Sequence, residues 1–194
     1  MSTSLIDLLR SVQPAAILGS HANVGDATVV VAREHLLEVM AFLRDDPRCR
    51  MDVLMDVAGV DYLDFDPALR HTVTPLDSDG PAGGGNPAEL PRFEVVYHLL
   101  SMPHRHRIRV KVALPEDDLH VQSLCDLWIS ANWGEREAWD MYGVRFDGHP
   151  DLRRVLMYEE FVGHPLRKDY GLRGYQPLVP MPNLADYADN ETYR

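Results

Sequence analysis

The stretch Arg92–Leu114, RFEVVYHLLSMPHRHRIRVKVAL, decides the fold because it contains the clearest β-hairpin of the chain. Two apolar runs, 92–100 and 105–114, flank the turn 102–104, which is Met-Pro-His. In the second run apolar and basic residues alternate, with Ile108, Val110, Val112 and Leu114 on one face and Arg107, Arg109 and Lys111 on the other. Alternation with a period of two predicts an antiparallel strand with one buried and one solvated face.

The residues around this hairpin predict further strands and helices, without a regular strand–helix–strand order. We expect strands over 15–19, 27–32 and within 49–62, and helices that begin at Ser4 and span 33–44. Apolar residues at helical spacing predict another helix over 115–130, namely Leu119, Leu124, Leu127 and Trp128. The mixed order predicts an α+β fold with a largely antiparallel sheet and flanking helices, followed by an extended C-terminal arm.

Three parts follow from these patterns. Residues 1–132 form the α+β domain, and residues 65–91, rich in glycine and proline, form a flexible insertion within it. No Gly-Lys-Ser/Thr follows the Gly83–Gly85 run, so we do not expect a phosphate-binding loop. Residues 133–175 form a segment of different composition, termed the C-terminal arm, which we expect to be a subunit-docking arm for the reasons given below, and residues 176–194 form a tail.

Composition excludes several classes of function. The chain has 194 residues, 45% of them hydrophobic, which is enough for one core. A formal net charge of -11 argues against a nucleic-acid partner and against a polybasic contact with anionic lipid. No apolar run approaches the roughly 20 residues of a membrane span. The first 14 residues resemble neither a secretory signal nor an Arg-rich presequence, so we expect a reducing bacterial cytoplasm.

The C-terminal arm contains local signals for a helix and for two tight corners. Asn132-Trp133-Gly134-Glu135 has the spacing of a capping box and predicts a helix over 133–142 that ends at Gly143. Gly-His-Pro occurs at 148–150 and again at 163–165, and Pro150 is suited to the first position of a further helix. We expect the two Gly-His-Pro turns to act as anchoring corners.

The composition of the arm is typical of a protein–protein interface. It contains eight of the 16 aromatic residues of the chain, six arginines, and a near balance of seven basic and eight acidic side chains. We therefore predict that the arm binds other subunits through Trp133, Glu135, Arg136, Glu137, Trp139, Asp140, Tyr142, His149, Arg153, Arg154, His164, Arg167, Lys168, Asp169 and Tyr170. For Trp133 and Trp139 a place in the core remains an equal alternative.

The sequence gives little support for a metal site, an iron–sulfur cluster or a catalytic site on this chain. Cys49 and Cys125 lack the Cys-x-x-Cys partners of an iron–sulfur or zinc site. His149 and His164 are expected to hydrogen-bond to the backbone or to a partner rather than to bind a metal. A stand-alone hydrolase that uses either histidine is the alternative of another class.

The acidic residues of the predicted arm helix have an explanation other than acid–base catalysis. Glu137 and Asp140 are three residues apart and share a helix face. Their natural counter-ions are Arg136, Arg153 and Arg154. We therefore expect an ion-pair network, although perturbed catalytic carboxylates resemble one.

Three runs in the arm resemble one family. They are Glu135–Val144 (EREAWDMYGV), Phe146–Arg154 (FDGHPDLRR) and Gly163–Tyr170 (GHPLRKDY). Together with the hairpin, they resemble the C subunit of the proton-pumping NADH:quinone oxidoreductase, respiratory complex I, over roughly residues 15–175. The chain departs from the family pattern at Gly171, where a proline is usual, and in residues 67–90, which resemble an insertion.

The resemblance implies a non-catalytic subunit of the hydrophilic arm of that enzyme, on the cytoplasmic side of the bacterial inner membrane. It implies contacts with subunits B, D and I and no cofactor on this chain. FMN and the iron–sulfur clusters would be on other subunits, in an enzyme that passes electrons from NADH to quinone and translocates protons. An equivalent subunit of a membrane-bound hydrogenase or a plastid-type quinone reductase is the close alternative.

Overall fold

The structure, a computed structural model, describes residues 2–22, 25–66, 69 and 91–177. Most of the predicted insertion at 65–91 and of the tail at 176–194 lies outside these residues. The elements are α1 (Ser2–Val12), β1 (Ile17–His21), β2 (Ala27–Val31), a 3-10 turn (Arg33–His35), α2 (Leu36–Asp45), β3 (Val53–Asp61), β4 (Phe93–Ser101), β5 (His106–Leu114), β6 (His120–Gln122), α3 (Ala131–Tyr142) and β7 (Arg145–Asp147).

Five strands form the main sheet, in the order β1-β2-β5-β4-β3. The predicted hairpin β4–β5 is its centre, with Tyr97 opposite Val110 and Phe93 opposite Leu114. The pairs β1–β2, β3–β4 and β4–β5 are antiparallel, and β2–β5 is parallel. The predicted α+β class with a largely antiparallel sheet is therefore confirmed. The strands β6 and β7 form a separate, parallel pair.

The hydrophobic core lies on one face of this sheet. The apolar positions of β5 that alternation predicted are all buried, and they pack with Phe93, Tyr97, Leu9 and Met40 from β4, α1 and α2. Burial of side chains of this size contributes about 1.5–3 kcal/mol each. The opposite face is less solvated than alternation predicts, because Lys111 is buried and its Nζ lies 2.9 Å from Glu94 Oε1.

The helix predicted over 115–130 is wrong. Leu119, Leu124 and Trp128 are buried as expected, but residues 115–130 form turns and the short strand β6. Some backbone groups of this stretch form single turns, as where the Trp128 N–H donates to Leu124 O, but others bond to partners outside the stretch. The N–H of Ser123 donates to Asp147 O at 2.9 Å, and that of Leu124 donates to Glu135 Oε1 at 2.7 Å. Tertiary pairing therefore overrides the helical spacing of the apolar residues.

Helix α3 packs along β3, the last strand of the sheet, at a distance that only glycine permits. A Cβ built on Gly134 would lie 2.9 Å from Val57 Cβ, and one on Gly59 would clash with the ring of Tyr142. The helix ends as predicted at Gly143, which has φ +82° and donates its N–H to Trp139 O at 2.8 Å. Val57 and Gly59 lie on the same face of β3, so the helix packs on that face of the strand.

Candidate docking site

The side chain of Glu135 turns away from its own helix. The predicted capping box is wrong, because α3 begins at Ala131 and no side-chain hydrogen bond caps it. Glu135 is fully buried, and its carboxylate accepts hydrogen bonds from Ser123 Oγ at 2.6 Å and from the Leu124 N–H. Burial raises the pKa of Glu135 although these donors oppose the shift. Glu135 therefore fixes the irregular 123–125 stretch to α3.

Cys125, Glu135 and His149 form a group whose ligand atoms lie within 4.8 Å of one another. Both ring nitrogens of His149 are already used, since Nε2 lies 3.1 Å from Asn132 O and Nδ1 accepts the Asp151 N–H. The Cys125 thiol donates to Glu135 at 3.6 Å, and burial raises its pKa to about 11. A metal ion needs a deprotonated thiol and a free imidazole nitrogen. These contacts favour a hydrogen-bonded cluster over a metal site.

Asp140 organises the chain that follows the helix. Its carboxylate is fully buried, with one oxygen 2.5 Å from Arg154 Nη1 and the other accepting the N–H groups of Val155, Leu156 and Met157 at 2.9–3.1 Å. Burial alone would raise the pKa of Asp140, but these hydrogen bonds outweigh it and hold the pKa below its usual range. One carboxylate therefore fixes a three-residue segment that has no regular secondary structure.

The arginines of the arm hold backbone carbonyl groups as well as carboxylates. Arg136 is buried and donates to the carbonyl oxygens of Arg153 and Arg154, each at 3.1 Å. Arg154 also donates to the carbonyls of Phe161 and Gly163. The N–H groups of residues 155–157 donate to Asp140, so they do not form helical bonds to the carbonyls four residues earlier. The helix predicted to start at Pro150 is wrong, and residues 150–158 form turns and extended chain.

Both Gly-His-Pro turns act as corners that bond to the backbone, as predicted. Gly148 and Gly163 have φ values of +83° and +92°. His149 bonds to Asn132 O, and His164 Nδ1 donates to Asp140 O at 3.0 Å. Burial, assisted by the charges of nearby arginines, lowers the pKa of His164 despite that hydrogen bond. Both rings therefore tie the later part of the arm, after residue 147, to α3.

The far end of the arm returns to the sheet. Asp61, at the end of β3, accepts two hydrogen bonds from Arg92 and one from the N–H of Lys168 at 2.8 Å. Arg92 also contacts Asp169, at 3.0 Å. Burial would raise the pKa of Asp61, but Arg92 and the backbone N–H groups lower it to about 2. The arm is therefore tied to the domain at both of its ends.

Aromatic and backbone contacts complete the arm. Arg167 Nε donates to Tyr142 O at 2.6 Å, and the Leu166 N–H donates to Met141 O. Tyr170 stacks on Phe161 with ring centroids 6.1 Å apart. Trp139 is half-buried, with the Arg154 guanidinium 5.6 Å from its ring. The ion-pair network expected around Asp140 is confirmed for Arg154, whereas Arg153 is exposed and pairs with Asp151.

The predicted interface residues thus divide into two groups. Members of the first group are buried or half-buried and contact the chain itself. The second group is exposed and consists of Trp133, Glu137, Arg153, Lys168 and Asp169, although Arg153 and Asp169 also pair with Asp151 and Arg92. Further apolar side chains that sequence analysis did not single out are exposed nearby, namely Ile129, Leu156, Tyr158, Val162, Leu166, Leu172 and Tyr175. The sequence did contain a signal for their exposure. Glycine, proline and charged residues separate these apolar residues, so they lack the periodicity of a buried helix or strand face.

The buried acidic groups of α3 and the two corner histidines contact other groups of the protein. Glu135, Asp140, His149 and His164 each bond to protein groups, whereas Glu137 on α3 is exposed. Within the ranges that the structure describes, no helix has the length and apolarity that a bilayer crossing requires. What the site offers is a rigid surface with exposed apolar side chains.

Comparison with known proteins gives consistent matches. Residues 29–176 match the family model described as respiratory-chain NADH dehydrogenase, 30 Kd subunit. The NADH-quinone oxidoreductase C subunit of Acidithiobacillus ferrooxidans is 44% identical over 160 residues, which are 82% of this chain and 70% of the relative. The same subunit of Coxiella burnetii is 43% identical over 178 residues, covering 88% and 78%. That of Burkholderia cenocepacia is 44% identical over 168 residues, covering 86% and 75%.

Solved structures share the fold. A trypsin-resistant fragment (1–134) of Nqo5 superposes with a TM-score of 0.58 and 31% sequence identity, over 77% of this chain and 98% of the fragment. A chain of the archaeal membrane-bound sulfane sulfur reductase superposes with a TM-score of 0.64 over 88% of this chain and 86% of that chain. Its sequence identity is 17%, so this second likeness concerns the fold alone.

Proposed function

Because the chain belongs to the family of the 30 Kd subunit of respiratory-chain NADH dehydrogenase, we propose that it is a structural subunit of an NADH:quinone oxidoreductase. In that enzyme it forms part of the hydrophilic arm, and the complex passes electrons from NADH through FMN and iron–sulfur clusters to quinone and translocates protons. The chain contributes assembly and shape rather than a reacting group.

One observation supports the proposal that the arm docks on other subunits. The C-terminal arm uses its buried polar side chains to hold itself against the sheet, and it turns apolar side chains outward. Asp140 and Arg154 are paired inside, whereas Trp133 is 67% and Leu156 is 57% exposed. Exposed apolar residues on a support fixed by polar contacts are typical of a protein–protein contact.

The non-catalytic role is supported by the state of the reactive groups. Burial raises the pKa of both cysteine thiols to about 11, which disfavours the thiolates that a cluster requires. His149 and His164 are occupied by backbone groups. FMN, clusters and quinone accordingly belong to other subunits. The contacts that we propose are with subunits B, D and I, on the cytoplasmic side of the inner membrane.

Affinity purification from native membranes tests this function. A tag on this chain should recover the other subunits in fixed stoichiometry together with NADH:quinone reductase activity that depends on the complex. Recovery of the chain as a free monomer, with the reductase activity left in the unbound fraction, would contradict it.

A further inference from the structure

Trp133, in the first turn of α3, is a large aromatic side chain held in place while most of its surface is exposed. The guanidinium of Arg136 lies 5.1 Å from the centre of its ring. Arg136 is itself buried and fixed by hydrogen bonds to the carbonyls of Arg153 and Arg154. The indole therefore has a rigid support on one side and water on the other. Tryptophan and arginine with fixed rotamers are the residue types that dominate binding at protein interfaces.

A groove of about 250 Å³ lies beside this ring. Its walls are Met55 on β3, Trp133 on α3 and Leu156 in the arm, and their side chains are 49%, 67% and 57% exposed. Ile129, which precedes α3 and adjoins the lining residue Ser130, is 91% exposed. Four large apolar side chains that leave this much area in water, close to one concave surface, indicate a contact site rather than scattered surface residues.

Buried polar contacts fix the walls of the groove from behind. The N–H of Leu156 donates to Asp140 Oδ2 at 2.9 Å, and Arg136 supports Trp133. The floor is formed where Gly134 packs against Val57, with no room for even one additional carbon atom. A surface whose shape is already set loses little conformational entropy when a partner binds.

The charge at the rim selects the partner. Asp56 and Glu137 line the groove, are exposed and carry negative charge, in a chain with a formal net charge of -11. A second copy of this chain would bring the same carboxylates against each other, which like-charge repulsion opposes. A segment that carries arginine or lysine would be attracted to them.

We propose that this groove, lined by Met55, Trp133, Leu156, Asp56 and Glu137, is the seat of a segment from another subunit of the assembly. That segment inserts an aliphatic side chain between Trp133 and Leu156 and places an arginine or lysine against Asp56 and Glu137. The inference rests on the proposed function and deepens it, because it identifies the contact surface and the chemistry of the partner.

Substitution in the assembled enzyme tests the apolar contact. Trp133→Glu should lower the yield of complex that co-purifies with the tagged chain at least tenfold, and Trp133→Phe should retain most of the yield. The matched control is Val12→Glu, because Val12 is also exposed but lies on α1, which packs at the opposite edge of the sheet. Thermal unfolding of each full-length chain, followed by circular dichroism, establishes that the substituted chains fold.

Charge reversal tests the rim. Glu137→Lys should lower the yield of complex several-fold, and Glu137→Gln should lower it less.

Hydroxyl-radical oxidation measures directly whether the groove is accessible to solvent. Trp133 and Met55 should be oxidised readily in the isolated full-length chain and be protected in the assembled complex.

Several results would overturn the inference. Equal oxidation of Trp133 in the free and assembled chain would do so, as would equal losses from Trp133→Glu and Val12→Glu. Protection in the isolated chain that rises with its concentration would assign the groove to a second copy. Protection that disappears when residues 178–194 are deleted would assign it to the chain's own tail.

The same purification separates failure of the groove from failure of the proposed function. If the unsubstituted chain does not co-purify with the complex, the proposed function fails. If the unsubstituted chain co-purifies and the Trp133→Glu chain assembles normally, only the groove assignment fails.

Discussion

Gly134 of α3 lies directly against Val57 of β3, so closely that a Cβ at position 134 would be 2.9 Å from Val57 Cβ and 3.4 Å from Val57 N. The glycine lies inside a helix, where it lowers helix stability by about 1 kcal/mol relative to alanine. It is tolerated because it permits the helix to pack against the last strand of the sheet. This contact sets the position of the whole C-terminal arm.

Gly134→Ala should therefore destabilise the protein although alanine favours the helix. The added methyl group meets Val57 close to its main chain, and overpacking of this kind costs about 1–3 kcal/mol. Chemical denaturation measures the change in the free energy of unfolding. Gly171→Ala is the control, because nothing lies within 4 Å of a Cβ built there. Equal effects at both positions would contradict the close-packing explanation.

Asp140→Ala should cost about 3–5 kcal/mol of stability, because it leaves Arg154 without its buried partner and three N–H groups without an acceptor. Asp151→Ala removes an exposed partner of Arg153 and should cost only about 0–1 kcal/mol. Unfolding followed by circular dichroism compares the two, and hydrogen exchange should show faster exchange of the 155–157 amides in Asp140→Ala alone. Similar losses from both substitutions would count against Asp140 as the organising residue.

Asp61 should give the protein an acid-dependent component of stability. Its folded-state pKa of about 2 lies below the roughly 3.9 of an unfolded aspartate, so its contribution is complete above about pH 4 and is lost as the pH falls toward 2. Asp61→Asn should lower the stability by roughly 2 kcal/mol at pH 7 and progressively less below pH 4. Asp45→Asn, at an exposed ion pair with Arg44, should change little. If the loss from Asp61→Asn does not depend on pH, the pKa of Asp61 is not lowered in the folded state and the prediction is wrong.

Glu135 should show the opposite dependence on pH. Because burial raises its pKa, the folded state favours the protonated carboxyl group, and its contribution is complete below the unfolded pKa and declines as the pH rises through the folded value. Glu135→Gln, which keeps an oxygen for the Leu124 N–H, should gain stability relative to the unsubstituted protein as the pH rises from 5 to 8. Denaturation curves at both pH values measure this difference. A gain that shrinks with rising pH would show that Glu135 is stabilised as a carboxylate.

Sequence analysis predicted those parts of the fold whose signals are local. Alternation in 105–114 identified β5, and Gly143 marked the end of α3, because strand faces and the left-handed helix end depend on neighbouring residues only. The helix over 115–130 failed because Leu124 and Ser123 bond to residues that are distant in sequence. Periodicity contains no information about such partners.

Sequence analysis predicted which residues belong to the site, but not which of them are exposed and which hold the arm in place. Trp133, Asp140 and Arg154 were all expected at the interface, but only Trp133 is exposed, while Asp140 is buried and pairs with the half-buried Arg154. An acidic and a basic residue that are 14 positions apart have the same composition whether they face a partner or each other. Which of these occurs depends on the path of the chain after Gly143, and no local pattern specifies that path.

The central claim is that this chain supports assembly and performs no step of catalysis. The most direct measurement is NADH:quinone turnover per assembled complex in membranes that carry Asp140→Ala or Arg153→Ala in place of the unsubstituted chain. The account predicts fewer complexes, each with unchanged turnover, so that activity falls in proportion to the amount assembled. Complexes that contain every subunit at normal abundance but whose turnover is reduced would contradict it.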